Sequence, residues 1–207
     1  MPSNFNLIAP VYDQLAFFVF GNNLTEAKKA FIRLIPENSR ILLMGGGTGM
    51  ILNFILEKNP SVSIDFVEPS SRMTAIAKKS LSEKFLGRIN FINGDENSIP
   101  EGVQYDVCTS FFVMDCFVQA HALSFARAIT SRLKQNGIWL FADFFGTNKF
   151  YHRFIVRFMY RFFKIVSRIE SSSLPDYEKV FQQTGFRAAE GKIFMSGLVK
   201  SLVLIRN

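Results

Sequence analysis

The sequence predicts a single α/β domain built on a mostly parallel sheet. Three observations predict it. Short apolar runs alternate with longer runs of helical period. The first buried run passes directly into a cluster of glycines and then a helix. The last two strand-like runs are joined only by Met195-Ser196-Gly197-Leu198, a turn that appends an antiparallel hairpin.

In chain order the strands are expected at Arg40–Met44, Val62–Glu68, Ile89–Ile92, Tyr105–Phe111 and Ile138–Asp143, then Arg187–Met195 and Val199–Arg206. Between them the apolar period predicts helices at Thr25–Leu34, with Thr25 as N-cap, and at Gly49–Glu57, ended by Asn59-Pro60. Three more follow at Ser71–Phe85, Val118–Leu133 and Asp176–Thr184, the last closed by Gly185. No repeat or low-complexity linker interrupts the pattern, so the expected organisation is one domain over 1–207. It carries an N-terminal helical cap over 1–38 and a helical lid insertion over 148–170.

Composition bounds the function. Of 207 residues 48% are hydrophobic and 20% charged, which excludes disorder and collagen-like repeats. Cys108 and Cys116 are too few for a secreted disulfide framework and form no CxxC pair, so no metal site is expected. The start lacks a basic segment followed by an apolar one, and no run of eighteen uncharged apolar residues occurs; a cytoplasmic location is expected.

The most informative stretch is Ile41-Leu42-Leu43-Met44-Gly45-Gly46-Gly47-Thr48-Gly49. Glycines after a buried strand let backbone approach a ligand closely, and the following helix offers free N–H groups. The same glycines also serve a tight turn for steric reasons alone. Their GxGxG spacing, with Met50 beyond, departs from the GxGxxG of dinucleotide folds.

Two carboxylates extend the pattern. Glu68 ends the second strand about twenty residues beyond the loop, where an acid can accept from both ribose hydroxyls, or stand as a solvated strand-end carboxylate. Asp95 follows the third strand in Asn93-Gly94-Asp95-Glu96, where it can accept from an adenine amine or make an ordinary turn. Together the three sites fall in order at the ends of strands one, two and three, as one nucleoside lying across a sheet edge requires.

On these residues, with Tyr105-Asp106-Val107 in strand four and Leu133-Lys134-x-x-Gly137 before strand five, the sequence resembles the class I S-adenosylmethionine-dependent methyltransferases, in particular the small-molecule and quinone or phospholipid branch. The resemblance runs from about Phe5 to the C-terminus. It implies a Rossmann-like three-layer sandwich with strand order 3-2-1-4-5-7-6 and strand seven antiparallel. It also implies S-adenosylmethionine as cofactor and S-adenosylhomocysteine as product.

By that resemblance the loop carrying Gly45, Gly46, Gly47 and Gly49 passes the methionine part of the cofactor. Glu68 holds the ribose and Asp95 the adenine edge, with Pro69 and Glu96 also among the expected cofactor-binding residues. Ile99, Phe111 and Phe112 line the rings. The opening Leu7-Ile8-Ala9-Pro10-Val11-Tyr12-Asp13 is similar to the segment that closes over the cofactor, which makes Tyr12 a lid contact or equally a core residue. One departure stands out: the acid common two residues before the first glycine is replaced by Leu43.

Methyl transfer needs an aligned acceptor in a water-poor site, and a hydroxyl acceptor also benefits from a base. Asp115, His121 and Asp143 are the candidates near the sheet edge, with Asp115 favoured because it follows strand four and His121 expected on the exposed side of its helix. The chain reads Ser110-Phe111-Phe112-Val113 where an Asn/Asp-Pro-Pro-aromatic motif would serve base amino groups, and it has no Pro-Cys nucleophile. Those two nucleic-acid mechanisms are disfavoured, while ribose or other RNA methylation stays open as an alternative.

Charge points to one segment. Residues 1–148 hold 13 basic and 13 acidic residues, and residues 149–207 hold 11 and 4. From Lys149 on, Lys149, Arg153, Arg157, Arg161, Lys164 and Arg168 fall within an arc of about 120° of a helix, opposite Tyr151, Phe154, Ile155, Phe158, Met159, Phe162 and Val166. That helix either packs its aromatic face on the domain or lids an apolar pocket, its basic face meeting an anionic membrane surface through 149–169 or a phosphorylated substrate; nucleic acid is a third reading of the same charge, which its aromatic interleaving does not favour. His152 is expected as a polar boundary residue. The predicted acceptor is a hydrophobic small molecule or lipid-like compound; the rival is a non-catalytic interaction protein that keeps the fold.

Overall fold

The computed structural model describes residue 6, residues 9–166 and residues 171–207. Leu7, Ile8, Arg168 and Ile169 therefore lie outside the described residues. Seven strands form one sheet: β1 (Arg40–Met44), β2 (Ser63–Glu68), β3 (Ile89–Asn93), β4 (Tyr105–Phe111), β5 (Leu133–Phe144), β6 (Phe186–Phe194) and β7 (Val199–Arg206). Their order is β3-β2-β1-β4-β5-β7-β6. β1 to β5 pair in parallel, and β7 is antiparallel to both β5 and β6.

Helices cover both faces. They are α1 (Tyr12–Phe20), α2 (Asn23–Lys29), α3 (Met50–Lys58), α4 (Ser71–Ser80), α5 (Gln119–Arg132), α6 (Phe150–Val166) and α7 (Tyr177–Gln183). The strand period of two divides the core between the faces. In β1, Ile41 and Leu43 join one apolar cluster with α2, α3, α4 and α6, while Leu42 and Met44 join a second with α5 and α7. In β5, Leu140, Ala142 and Phe144 go to the first cluster and Trp139 and Phe141 to the second. These are the three layers and the strand order that the resemblance implies.

Two predicted helices are shorter than their apolar pattern. The helix expected over Thr25–Leu34 starts at Asn23 and ends at Lys29, with a separate 3-10 turn at Ile32–Leu34. Phe31 and Ile32 are both buried, and the Ile35 N–H closes the 3-10 turn on the Ile32 carbonyl at 3.1 Å. The helix expected over Ser71–Phe85 stops at Ser80. There the Asn53 amide donates to the Ser80 carbonyl at 2.9 Å and its oxygen accepts from the Ser82 N–H at 3.1 Å. β5 conversely begins five residues early, because Leu133 pairs with Tyr105 ahead of an irregularity in the ladder.

At the end of the sheet away from the glycine loop, buried Asp65 is fully partnered. Its carboxylate accepts from the Arg40 guanidinium, the Tyr105 hydroxyl and the Asn90 amide, each within 3.2 Å. This anchor ties β1, β2, β3 and β4 together, leaving the other end of the same strands to carry the site.

Candidate functional site

The carboxyl ends of β1, β2 and β4 open into a cavity of about 610 Å³, a size suited to small molecules. Its floor is the loop after β1. Gly45 and Gly47 take φ of +61° and +58°, the left-handed region that favours glycine. A Cβ on Gly46 would stand 2.1 Å from the Phe66 ring, whereas over Gly47 the nearest atom is Met73 Sδ at 4.0 Å. Gly46 thus yields to packing, and Gly47 leaves its backbone open to a ligand.

Glu68 locks this loop. Its Oε2 accepts from the Gly47 N–H and its Oε1 from the Ser70 N–H, both at 2.9 Å. The residue is 4% exposed, and burial pushes its carboxyl up while those two donors pull it down. An ionised carboxylate has about four acceptor positions, so two remain for hydroxyls of a ligand.

Most of the predicted residues meet here. Tyr12, Gly45, Gly46, Gly47, Glu68, Pro69, Asp95, Glu96, Phe111 and Phe112 all line the cavity. Asp95 is exposed, and its Oδ1 caps the next turn by accepting from the Asn97 N–H at 3.0 Å. Two do not line it. Gly49 sits at φ +75°, and a Cβ there would come within 2.7 Å of Ala77 Cβ, so its role is the packing of α3 against α4. Ile99 is buried in the second core cluster.

The candidate bases separate. Asp115 lines the cavity, is 4% exposed and meets the Cys116 thiol at 3.6 Å. Asp143, fully buried, does not line the cavity; its carboxylate accepts from the N–H groups of Met114, Asp115 and Phe144, which fixes the turn that bears Asp115. Burial pushes Asp115 up to about 6, and burial together with the Asp115 charge pushes Asp143 up.

The histidines divide: the His121 side chain is 42% exposed, as expected, and His152 is not. His121 is half-buried at the cavity wall, stacked on Phe117 with ring centroids 3.9 Å apart and bonded through Nε2 to Glu96 Oε1 at 2.8 Å. His152, expected at a polar boundary, is 2% exposed, with Nδ1 2.6 Å from the Thr147 hydroxyl.

Sequence reasoning missed Asp13. It lines the cavity from α1, and its Oδ2 accepts from the Thr48 hydroxyl of the glycine loop at 2.6 Å. Leu43, where an acid is common, is 2% exposed and packs in the core while touching the cavity. The opposite wall is α6, through Phe154, Ile155, Phe158, Met159 and Phe162. Met159 and Tyr160 are buried, while Phe154 and Phe158 stay 71% and 60% exposed, so the helix both packs on the domain and walls the pocket. Among the described residues, no group of three or more His, Cys, Asp or Glu could hold a metal, and no helix is long and apolar enough to cross a membrane.

The family described as a methyltransferase domain matches residues 42–139, from β1 into β5. A malonyl-[acyl-carrier protein] O-methyltransferase of Halalkalibacterium halodurans is 30% identical over 162 residues, 72% of this chain and 55% of the relative. These matches indicate a class I S-adenosylmethionine-dependent methyltransferase domain. A second methyltransferase, carrying the same name, from Priestia megaterium is 32% identical over 104 residues, 50% of this chain and 36% of the relative. The chain thus spans between about a third and just over half of the curated relatives it matches. In fold it is similar to CalO1, a methyltransferase in calicheamicin biosynthesis solved in its SAH-bound form, with TM-score 0.68, 15% identity, and 95% of this chain and 56% of that one covered.

The class I cofactor, S-adenosylmethionine, fits the residues present. The open backbone at Gly47, the spare acceptor positions of Glu68 and the exposed Asp95 carboxylate line one cavity from β1 to β3.

Proposed function

We propose that this chain transfers a methyl group from S-adenosylmethionine to a hydrophobic small-molecule or lipid-like acceptor. The observation that carries the proposal is that one cavity is bounded by Gly45–Gly47, Glu68 and Asp95 on one side and by the aromatic face of α6 on the other. When bound, the cofactor supplies an electrophilic methyl and a neutral thioether leaving group. The chain's own part is positioning, exclusion of water and handling of one proton.

In this reading Gly47 and Glu68 hold the cofactor's sugar and methionine parts, with Pro69 beside the ribose and Asp95 and Glu96 at the adenine edge. Asp13 supplies the carboxylate that Leu43 lacks, facing a ligand ammonium from above the loop. Phe111 and Phe112 flank the rings. Tyr12 and α1 close one side, and Phe154, Phe158 and Phe162 on α6, within the lid at 148–170, dehydrate the acceptor.

Asp115 accepts the acceptor's proton. A carboxyl pushed up to about 6 is a stronger base than an ordinary carboxylate and is still largely ionised near neutral pH. The relatives are named as O-methyltransferases, which supports an oxygen nucleophile. Phenols, hydroxyquinones and long-chain carboxylic acids incubated with methyl-labelled cofactor test this. Label in an apolar product is expected, and transfer confined to polar acceptors contradicts the reading.

The exposure of Phe150, Phe154 and Phe158 beside Arg153, Arg157 and Arg161 supports a second element, contact of α6 with an anionic membrane surface. Sedimentation with anionic vesicles should be lost when the three arginines become Glu, and unchanged sedimentation would contradict the contact.

A further inference from the structure

On the other face of α6 lies a second groove of about 550 Å³, which shares no lining residue with the cavity described above. Helical spacing separates the two. Residues 154, 155, 158, 159 and 162 face the first, and 153, 156, 157, 160, 161 and 164 face the second.

The groove is cationic along one wall. Arg153, Arg157, Arg161 and Lys164 are exposed, and no side-chain hydrogen bond or ion pair joins any of them to another described residue. No Asp or Glu is among the described residues that line it. Cations spaced three and four residues apart on a helix repel one another, a cost that an anion between them removes. Ser172 and Ser173 stand among the lining residues as hydroxyl donors.

Its floor is apolar. Val156, Leu174 and Leu198 lie there, with Leu198 fully buried, and buried Tyr160 closes it. A row of exposed cations beside partly buried apolar side chains suits an anion carried on a short apolar chain. Guanidinium groups recognise phosphate through paired N–H donors, and three of the four cations are arginines.

We propose that this groove binds a phosphate monoester carried on a short apolar chain, with the phosphate on Arg153, Arg157 and Arg161 and the chain on Val156 and Leu174. The occupant braces the catalytic wall. Tyr160 lines the groove, and its hydroxyl donates to the Asp115 backbone carbonyl at 2.8 Å.

Titration calorimetry with octyl phosphate below its micelle concentration tests this without any methyl donor, so its failure and the failure of the methyl-transfer reading are separate. Saturable binding of one molecule per chain is expected, weakened at least tenfold by R153Q/R157Q with no loss in thermal midpoint. Inorganic phosphate should bind more weakly, for want of the chain. Equal binding of octyl glucoside, insensitivity to R153Q/R157Q, or binding to phosphatidylglycerol vesicles without binding of octyl phosphate would each overturn the proposal.

Discussion

The Gly47 N–H donates to Oε2 of Glu68 at 2.9 Å, so the carboxylate at the end of β2 already holds the β1 loop in shape. One residue orders the backbone a cofactor would lie on and keeps acceptor positions for its hydroxyls. Glu68→Ala should therefore lose on two counts. Leaving the Gly47 and Ser70 N–H groups unpaired costs roughly 2 kcal/mol or more of stability. Affinity for S-adenosylhomocysteine should fall at least tenfold, about 1.4 kcal/mol. Denaturant melts and calorimetry read the two separately.

Gly46→Ala tests the loop sterically. The added Cβ would lie 2.1 Å from Phe66 Cε2 in the core. Overpacking of this kind costs about 1–3 kcal/mol, so the thermal midpoint should drop and cofactor affinity with it. An unchanged midpoint would mean that the loop is not fixed against Phe66.

Asp115→Asn tests the base and its pH dependence. The folded-state value is raised, to about 6 from 3.8, so the native protein binds more protons than the unfolded chain between those values. Its contribution to stability is lost as pH rises through that window. Relative to the parent, the Asn variant should gain on the order of 2 kcal/mol between pH 4 and 7. Methyl transfer by the parent should rise with pH through an apparent value near 6, and the variant should lose that limb. A parallel pH course for both proteins contradicts the assignment.

Asp13→Ala tests the carboxylate over the loop. With Thr48 left without its acceptor, a small stability loss of about 1 kcal/mol is expected. If Asp13 faces the ligand ammonium, affinity for S-adenosylhomocysteine should fall about tenfold, while its analogue lacking the amino group binds parent and variant alike. Equal losses for both ligands would reduce Asp13 to a loop support.

What was legible in the sequence is what short stretches of chain decide. The β1–glycine–α3 turn, the Glu68 and Asp95 strand ends and the late hairpin depend on local backbone geometry, and all appear as read. Contacts between distant segments were not legible. Asp13 acquires its role from Thr48, 35 residues away; Gly49 is required by Ala77, on another helix. His152 is buried because Thr147 partners it. The helix at Tyr12–Phe20 was covered only by a general expectation of a helical cap, because Phe17, Phe18 and Val19 are exposed and blur its period. Asp115 was legible as a candidate base, whereas the bonds by which Asp143 holds the Met114–Cys116 turn beneath it were not.

The central claim is that this sheet edge binds a sulfur nucleoside. Isothermal titration of the purified protein, stripped of carried-over ligand, with S-adenosylmethionine and S-adenosylhomocysteine, and with NAD as control, tests it most directly. Saturable one-to-one binding of both sulfur nucleosides, with none of NAD, is the predicted result. Folded protein that binds neither would contradict the account and leave a methyltransferase fold serving as an interaction surface.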